Sequence, residues 1–474
     1  MVRVLNLSLL VAFFSAAACS APVEPKQVVN KESQLCVTEK GTSDKILIAA
    51  HLLLPSSILN DGALVIDATG KISDLGKLAQ LQSHYQNATK VICKNSIVSP
   101  GFVNAHEHPS YSYAFPDKDL APIYVHRDEW RGKIGSKERL TIPKPSKNKA
   151  VLAWVELRHL LGGTTVMAGS GAVPGLLKNV AHRNSPGNVY KAEMKTFPFT
   201  PNASQFLSRY SCPGGNTELP APSTSTSYSG IPYVPHVGEG TNCVARLETE
   251  AFLDHIEGAE GARRTYSAIH VVGATKKQIK RLAENDVSLI WSPRSNLALY
   301  GETANIPEFL AHGGILALGT DWSSSGSYNM VEEIACAKQV AQTFGEQSLS
   351  ARDFWEVATR NGAIALGVQN STGSIQKGLS ADLVIVRASF SSHYRSVIEA
   401  TPDDVIAVFV EGKPKIAAYG VGQQFDDCVE FAAIGKYVCL DIEAFEVGLQ
   451  DMIKKNKRNV PLYGTRRQAS CVVS

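Results

Sequence analysis

None of the nine cysteines stands in a Cys-x-x-Cys pair, which argues against a structural zinc knuckle. No dense basic stripe interrupts a chain with 47 Lys and Arg against 44 Asp and Glu, and that balance argues against nucleic acid as the main partner. The short run Lys454-Lys455-Asn456-Lys457-Arg458 is read as solvated surface, the usual fate of charge runs. The apolar stretch Leu5 to Phe14 is too short for a spanning helix. No short sequence repeat is found. What is present is apolar material: 44% hydrophobic residues over 474 positions suffice for a sizeable core and exclude global disorder. The length fits one large domain plus a smaller one, or a single barrel with insertions.

The N-terminus has the layout of a secretory signal: Arg3, the apolar stretch, then small residues Ser15 to Ala18 before Cys19. Residues 1–19 are therefore predicted as a signal peptide, and the protein as exported to the periplasm. Ala16-Ala17-Ala18-Cys19 resembles a bacterial lipobox, in which the Cys carries the lipid anchor. Ala16 stands where Leu is usual, so ordinary cleavage near Ala18 to Ala21 is the alternative. Eight further cysteines remain, namely Cys36, Cys93, Cys212, Cys243, Cys336, Cys428, Cys439 and Cys471. An even count in an exported chain predicts disulfides, with connectivity left open. Cys428 and Cys439 flank a short apolar segment that could close a hairpin, and Cys36 and Cys93 share the N-terminal β-rich region.

Residues 20–44 are predicted as a linker. From 45 to 99 the pattern is β-like, as in Ile46-Leu47-Ile48 and Ala63-Leu64-Val65-Ile66. A matching stretch lies at 371–420, including Leu383-Val384-Ile385-Val386 and Val405 to Val410. The two are predicted to pair into one small β-sandwich built from both chain ends. Between them, residues 100–370 alternate short apolar strands with helical segments. Candidate strands are Phe102–Ala105, Thr164–Met167, Val189–Met194, Tyr233–Pro235, Ser267–Ile269, Val287–Trp291 and Ile315–Leu318. Candidate helices are Ala150–Leu161, Glu248–Glu257, Lys276–Asn285, Val331–Thr343 and Ala351–Ala365. Strand-then-helix units imply parallel strands and an α/β class; about eight of them fit a (β/α)8 TIM-type barrel. Residues 421–474 are a C-terminal extension.

Polar residues fall just after these strands: His106 and His108, His236, His270 and Asp321. Strand ends of such a barrel share one rim. His-x-His at a strand end puts both imidazoles on one side, because side chains repeat with period two. Imidazoles plus one carboxylate suit a divalent metal, Zn²⁺ first and Fe²⁺ as the alternative, with a position left for water.

These segments resemble the amidohydrolase superfamily, in particular the branch of triazine chlorohydrolases and guanine- or cytosine-type deaminases. The resemblance rests on Pro100-Gly101-Phe102-Val103-Asn104-Ala105-His106-Glu107-His108, Gly163 to Val166, His236-Val237-Gly238-Glu239, Ala268 to Val271, Ser292-Pro293-Arg294-Ser295-Asn296-Leu297, Leu318 to Asp321 and Gly373 to Val384. It spans roughly residues 45 to 420. It implies a mononuclear site held by His106, His108, His236 and Asp321, with Asp321 also accepting a proton from the activated water. It further implies Glu239 as proton shuttle and His270 as the residue that polarises the substrate or orients the water. The implied activity is hydrolysis of carbon–nitrogen bonds other than peptide bonds, as a deaminase or cyclic amide/amidine hydrolase acting on a small nitrogenous molecule. Trp322-Ser323-Ser324-Ser325 departs from the small residues that often follow the family's last Asp, and the long loops Pro109–Thr141 and Phe197–Gly230 leave the substrate open.

Competing readings stay beside these. Glu239 could bind substrate or cap a loop. Lys191 or Lys195 could be the carbamylated bridge of a two-metal amidase or dipeptidase-like site, though surface roles are the simpler account. Tyr111, Tyr113 and Phe115 could pack a lid or stack on a ligand. His51, His84, His126, His159, His182, His255, His312 and His393 are read as surface or packing residues. An exported, non-catalytic binding protein on the same fold is the alternative of another class, and a homodimer is left open.

Overall fold

The computed structural model describes residues 35–115, 123–132, 140–182, 192–199, 218–224, 230–258, 265–347, 349–440, 448–457, 459–462 and 471. The signal-like segment with Cys19, Lys191 and Cys212 lie outside the described residues.

The apolar runs near the N-terminus become β1 (Cys36–Glu39), β2 (Ile46–Leu53), β3 (Ile58–Ile66), β4 (Ile72–Lys77) and β5 (Thr89–Pro100). Eight short strands follow: β6 (Phe102–Glu107), β7 (Thr164–Gly169), β8 (Lys178–Asn179), β9 (Glu193–Lys195), β10 (Tyr233–Val237), β11 (Ser267–His270), β12 (Ser288–Trp291) and β13 (Leu316–Leu318). The chain ends with β14 (Leu383–Arg387), β15 (Val405–Val410), β16 (Lys413–Ala417), β17 (Cys428–Phe431) and β18 (Lys436–Cys439).

Both chain ends share one ten-stranded sheet, ordered β17-β18-β16-β15-β14-β5-β2-β3-β4 with β1 on β5. The long strand β5 is the joint. Its first half pairs with β1, Cys36 opposite Cys93, and its second half with β14, Leu383 opposite Pro100. Between the halves Asn95 takes a left-handed backbone (φ 56°), a conformation that Asn tolerates better than most side chains. Cys36–Cys93 and Cys428–Cys439 are disulfides across adjacent strands, and Cys336–Cys471 ties the C-terminus to the helix Met330–Ala341. Cys243 is also disulfide-bonded.

The eight short strands form two parallel ladders, β6-β7-β8 and β13-β12-β11-β10-β9. On one side they are joined by Ala192 N–H donating to Val180 O at 3.1 Å. On the other, Asp321 N–H donates to His106 O at 3.0 Å and His108 N–H to Asp321 O at 2.9 Å. The ring of backbone hydrogen bonds is thereby continuous. Side chains alternate as period two demands. Val103, Ala105, Val166, Ala168, Val234, Ile269, Ile290 and Ala317 fill the ring. Phe102, Met167, Tyr233, Ala268, Leu289, Leu316 and Leu318 pack into the surrounding helical layer.

Three expectations need correction, and one strand, β8, was not among the candidates. Residues 36–39, assigned to a linker, are strand β1, held by its ladder and disulfide. β8 has only Lys178 and Asn179 and carries no apolar period to detect. The strand expected at Val189–Met194 is Glu193–Lys195 among the described residues. The helix expected over Ala351–Ala365 breaks at Thr359 (φ −126°, ψ −92°) into Ala351–Ala358 and Arg360–Ala365. The Thr359 hydroxyl bonds back to Trp355 O at 2.6 Å, a contact that distorts helices, and Gly362 then packs so close to Val103 that an added Cβ would sit 2.8 Å from it.

The C-terminal extension is built into the body. β17 and β18 lengthen the sheet, and the helix Leu449–Asn456 lies on the helix Lys149–Leu161. Asn456 donates to Ala150 O, Trp154 to Val460 O, and Val460 N–H to Tyr113 O at 3.0 Å, bracing the loop after β6. Among the described residues no helix is long and apolar enough to cross a membrane.

Candidate metal centre and catalytic pocket

His106 lies inside β6 and His108 just after it; His236 is in β10 and His270 ends β11. Asp321 follows β13 and bridges back to β6 at Glu107. The close approach of these two strand ends needs a glycine: a Cβ on Gly319 would lie 2.5 Å from the His106 Cβ. His270 (φ 72°) and Asp321 (φ 63°) both adopt left-handed backbone. Such strain costs about 1–3 kcal/mol per non-glycine residue and collects at functional sites.

The structure brings His106, His108, His236, His270 and Asp321 together in one buried cluster. His106 Nε2 is 3.1 Å from His108 Nε2, and the Asp321 carboxylate is 3.5 Å and 3.4 Å from those two nitrogens. Donors about 2.0–2.1 Å from a tetrahedral Zn²⁺ lie about 3.3 Å from each other, so the spacings suit such an ion. The far sides of the His236 and His106 rings are already engaged. His236 Nδ1 donates to Lys195 O at 3.0 Å, leaving its buried Nε2 without a hydrogen-bond partner. His106 Nδ1 meets the Ser292 hydroxyl at 3.2 Å. An outer partner that fixes the tautomer and leaves the inner nitrogen bare is the usual arrangement of a metal-binding imidazole.

Electrostatics agree. Burial, followed by the neighbouring imidazoles, pushes His106 and His236 well below the ordinary histidine value, and His108 is lowered to about 4 chiefly by burial. All three present neutral lone pairs. Burial, and then the Glu239 charge, raises Asp321 well above the usual carboxylate range. A cation among the imidazoles would invert that balance. A divalent metal thus fits these residues, as it fits no other group of His, Cys, Asp and Glu among those described.

Glu107, the middle of His-Glu-His, points away from the cluster and clamps the strand ends. It accepts from the hydroxyls of Ser112 and Thr320 and from His108 N–H, and lies 3.3 Å from His159. His159 and His126, expected as surface or packing residues, are fully buried packing residues. Lys195 sends its half-exposed amine to Glu193 at 3.4 Å.

Glu239 is buried beside the cluster, 3.9 Å from His270 Nε2. Burial favours its neutral form, but His270, Arg127 and the Tyr300 hydroxyl outweigh burial and hold the carboxyl below its ordinary value. His108, His236, Glu239, His270 and Asp321 open onto one pocket of about 310 Å³, whose other walls include Tyr111, Trp130, Trp322, Phe197 and Arg131. Of the three loop aromatics considered from sequence, only Tyr111 lines it.

Residues 227–415 match the amidohydrolase family. Over that segment the chain is similar to the amidohydrolase family, in line with the motifs noted above. The chain is 27% identical over 386 residues to a 5-methylthioadenosine/S-adenosylhomocysteine deaminase of Caldicellulosiruptor saccharolyticus, covering 74% of this chain and 88% of that protein. Its fold is similar to a zinc-bound adenosine deaminase from Xanthomonas campestris (TM-score 0.56, 19% identity, 87% of this chain and 98% of that one). It is also similar to an atrazine chlorohydrolase from Arthrobacter aurescens complexed with zinc (TM-score 0.55, 18% identity, 78% and 94%).

Several participants in the site were not picked out from sequence. Ser295 donates to Asp321 at 2.5 Å; it lies within the Ser-Pro-Arg-Ser-Asn segment already noted, which was the available signal. Asn296 accepts from His270 Nδ1 at 3.0 Å. Arg127, Trp130, Arg131 and Tyr300 carry no local motif, and only the fold brings them to Glu239 or the pocket wall.

Proposed function

We propose that this protein is a zinc-dependent deaminase of small nitrogenous substrates, with adenosine-type nucleosides as the first class to test. The observation that carries it is the placement of Glu239 and His270 on the wall of the same small, aromatic-rich pocket into which the metal cluster opens. A volume of about 310 Å³ sits at the small-molecule end of ligand sites. Long-range similarity to deaminase-named relatives supports the same class. An ammonia-release screen over adenosine-type nucleosides, guanine, cytosine and cyclic amides tests it. Turnover confined to cyclic amides would replace deamination by amide hydrolysis.

His106, His108, His236 and Asp321 would hold the ion. When bound, a divalent cation supplies Lewis acidity and lowers the pKa of water toward neutrality. Glu239, kept as a carboxylate by His270, Arg127 and Tyr300, is ready to accept a proton and then deliver it to the leaving nitrogen. His270 is oriented by Asn296, whose amide nitrogen is turned to Thr303 at 3.2 Å so that its oxygen faces Nδ1. The inner Nε2 of His270 is left to face the pocket, 3.9 Å from Glu239 Oε2. That position suits orienting the attacking water or polarising the substrate. Tyr111, Trp130 and Trp322 supply flat faces for a planar ring.

One metal ion per chain is expected. The Lys195 amine pairs with Glu193, and the candidate ion-binding groups are built from His106, His108, His236, His270 and Asp321. Elemental analysis of protein purified without added metal should give one equivalent, mostly zinc; two equivalents would replace the mononuclear site by a binuclear one.

We also propose an exported protein, either anchored through Cys19 or free. The signal-like start and the disulfide pairs, typical of oxidising compartments, support this. Mass spectrometry of native protein under non-reducing conditions should find paired thiols and no residue before Cys19. Free thiols together with an intact Met1 would rule export out.

A further inference from the structure

We infer that Tyr300 is a positioning residue for Glu239, oriented in turn by Trp130, so that one wall of the substrate pocket is wired to the proton carrier. This rests on Glu239 carrying the proton. The chain of contacts has a direction. Trp130 Nε1, which can only donate, gives its hydrogen to the Tyr300 oxygen at 3.0 Å. The Tyr300 O–H is thereby turned toward its other neighbour, and it donates to Glu239 Oε1 at 2.8 Å. With Oε1 engaged, Oε2 is the oxygen that faces His270 Nε2 at 3.9 Å and Arg127 at 3.4 Å. Tyr300 thus selects which carboxylate oxygen handles the proton. All three side chains are buried, Tyr300 at 2% exposure, Glu239 at 4% and Trp130 at 7%, where such hydrogen bonds are least diluted by water.

The backbone holds the arrangement from both ends. Trp130 and Arg127 belong to one short helix, Arg127–Gly132. Its first residue donates N–H to Glu239 O at 3.1 Å, and Tyr124 N–H donates to Leu299 O at 2.7 Å, next to Tyr300. The same Trp130 ring lies against Trp322 (centroids 5.7 Å apart) and lines the pocket. A ring-shaped substrate pressing on Trp130 acts on the donor that aims Tyr300. Burial, then the Glu239 charge, raises the Tyr300 hydroxyl well above its ordinary value, so it remains a donor.

The test uses the full zinc-loaded protein with 5′-methylthioadenosine and ammonia release as readout. Tyr300→Phe should keep one metal per chain and change KM less than about threefold, while kcat falls about 10- to 100-fold, the worth of a hydrogen bond to a charged group. Trp130→Phe should show a smaller kcat loss. The double variant should be no slower than Tyr300→Phe, because both act through one contact. Additive losses, or an unchanged kcat in Tyr300→Phe, would overturn the inference. Crystal structures of the zinc-loaded variants decide the matter independently of turnover. Glu239 should leave its present orientation in Tyr300→Phe, and a carboxylate that stays in place overturns the assignment. A wild-type protein that ignores 5′-methylthioadenosine sinks that substrate and leaves the crystallographic arm to decide.

Discussion

Glu239→Gln is expected to lose about 10²–10⁴-fold in kcat while keeping its metal and its fold, the usual contribution of a general acid–base group. The amide has the shape of the carboxylic acid and still accepts from Tyr300 through its oxygen, so the pocket wall is preserved. What disappears is the capacity to take up a proton and give it away. The environment makes this the decisive group: Glu239 is buried, yet His270, Arg127 and Tyr300 hold it ionised, prepared to accept first. Steady-state kinetics and metal analysis on the same sample check the outcome. A variant with near-normal kcat and a raised KM would make Glu239 a uniform binding contact, and amide hydrolysis would then move ahead of deamination.

Asp321→Asn should fail differently and more completely. The carboxylate lies 3.5 Å and 3.4 Å from the His106 and His108 inner nitrogens, and it accepts from the Ser295 hydroxyl. Its replacement removes the negative charge that favours a cation and the acceptor for the proton of water. Metal content after dialysis is expected to fall below one equivalent, and activity by on the order of 10⁴-fold or more, exceeding the loss in Glu239→Gln. Excess zinc should restore occupancy but little turnover. An Asp321→Asn protein that retained a full equivalent of metal and most of its kcat would remove Asp321 from both roles. The two variants therefore separate proton transfer from metal retention.

The residues of the candidate metal cluster were legible in the sequence because each closes a short apolar strand, and strand ends of a barrel converge on one rim. The period-two argument placed His106 and His108 on one face, and the structure puts their inner nitrogens 3.1 Å apart. The same argument sends Glu107 to the opposite face, where it locks Thr320 and Ser112. That role was not read, since a clamp has no pattern beyond a single acidic residue.

The sequence by itself determined the barrel, the pairing of the chain ends and the cluster of His106, His108, His236, His270 and Asp321. Those features arise from hydrophobic period and from order along the chain, which are local quantities. Tertiary structure alone decided the surroundings of Glu239. Arg127, Trp130 and Tyr300 reach it from segments up to 173 residues apart in sequence, Arg127 to Tyr300. It also decided that β17 and β18 extend the sheet and that Thr359 breaks a helix whose periodicity runs on. The physical reason is shared: hydrogen bonds and close contacts between distant residues depend on where the backbone has already been placed, and no spacing within one segment encodes them.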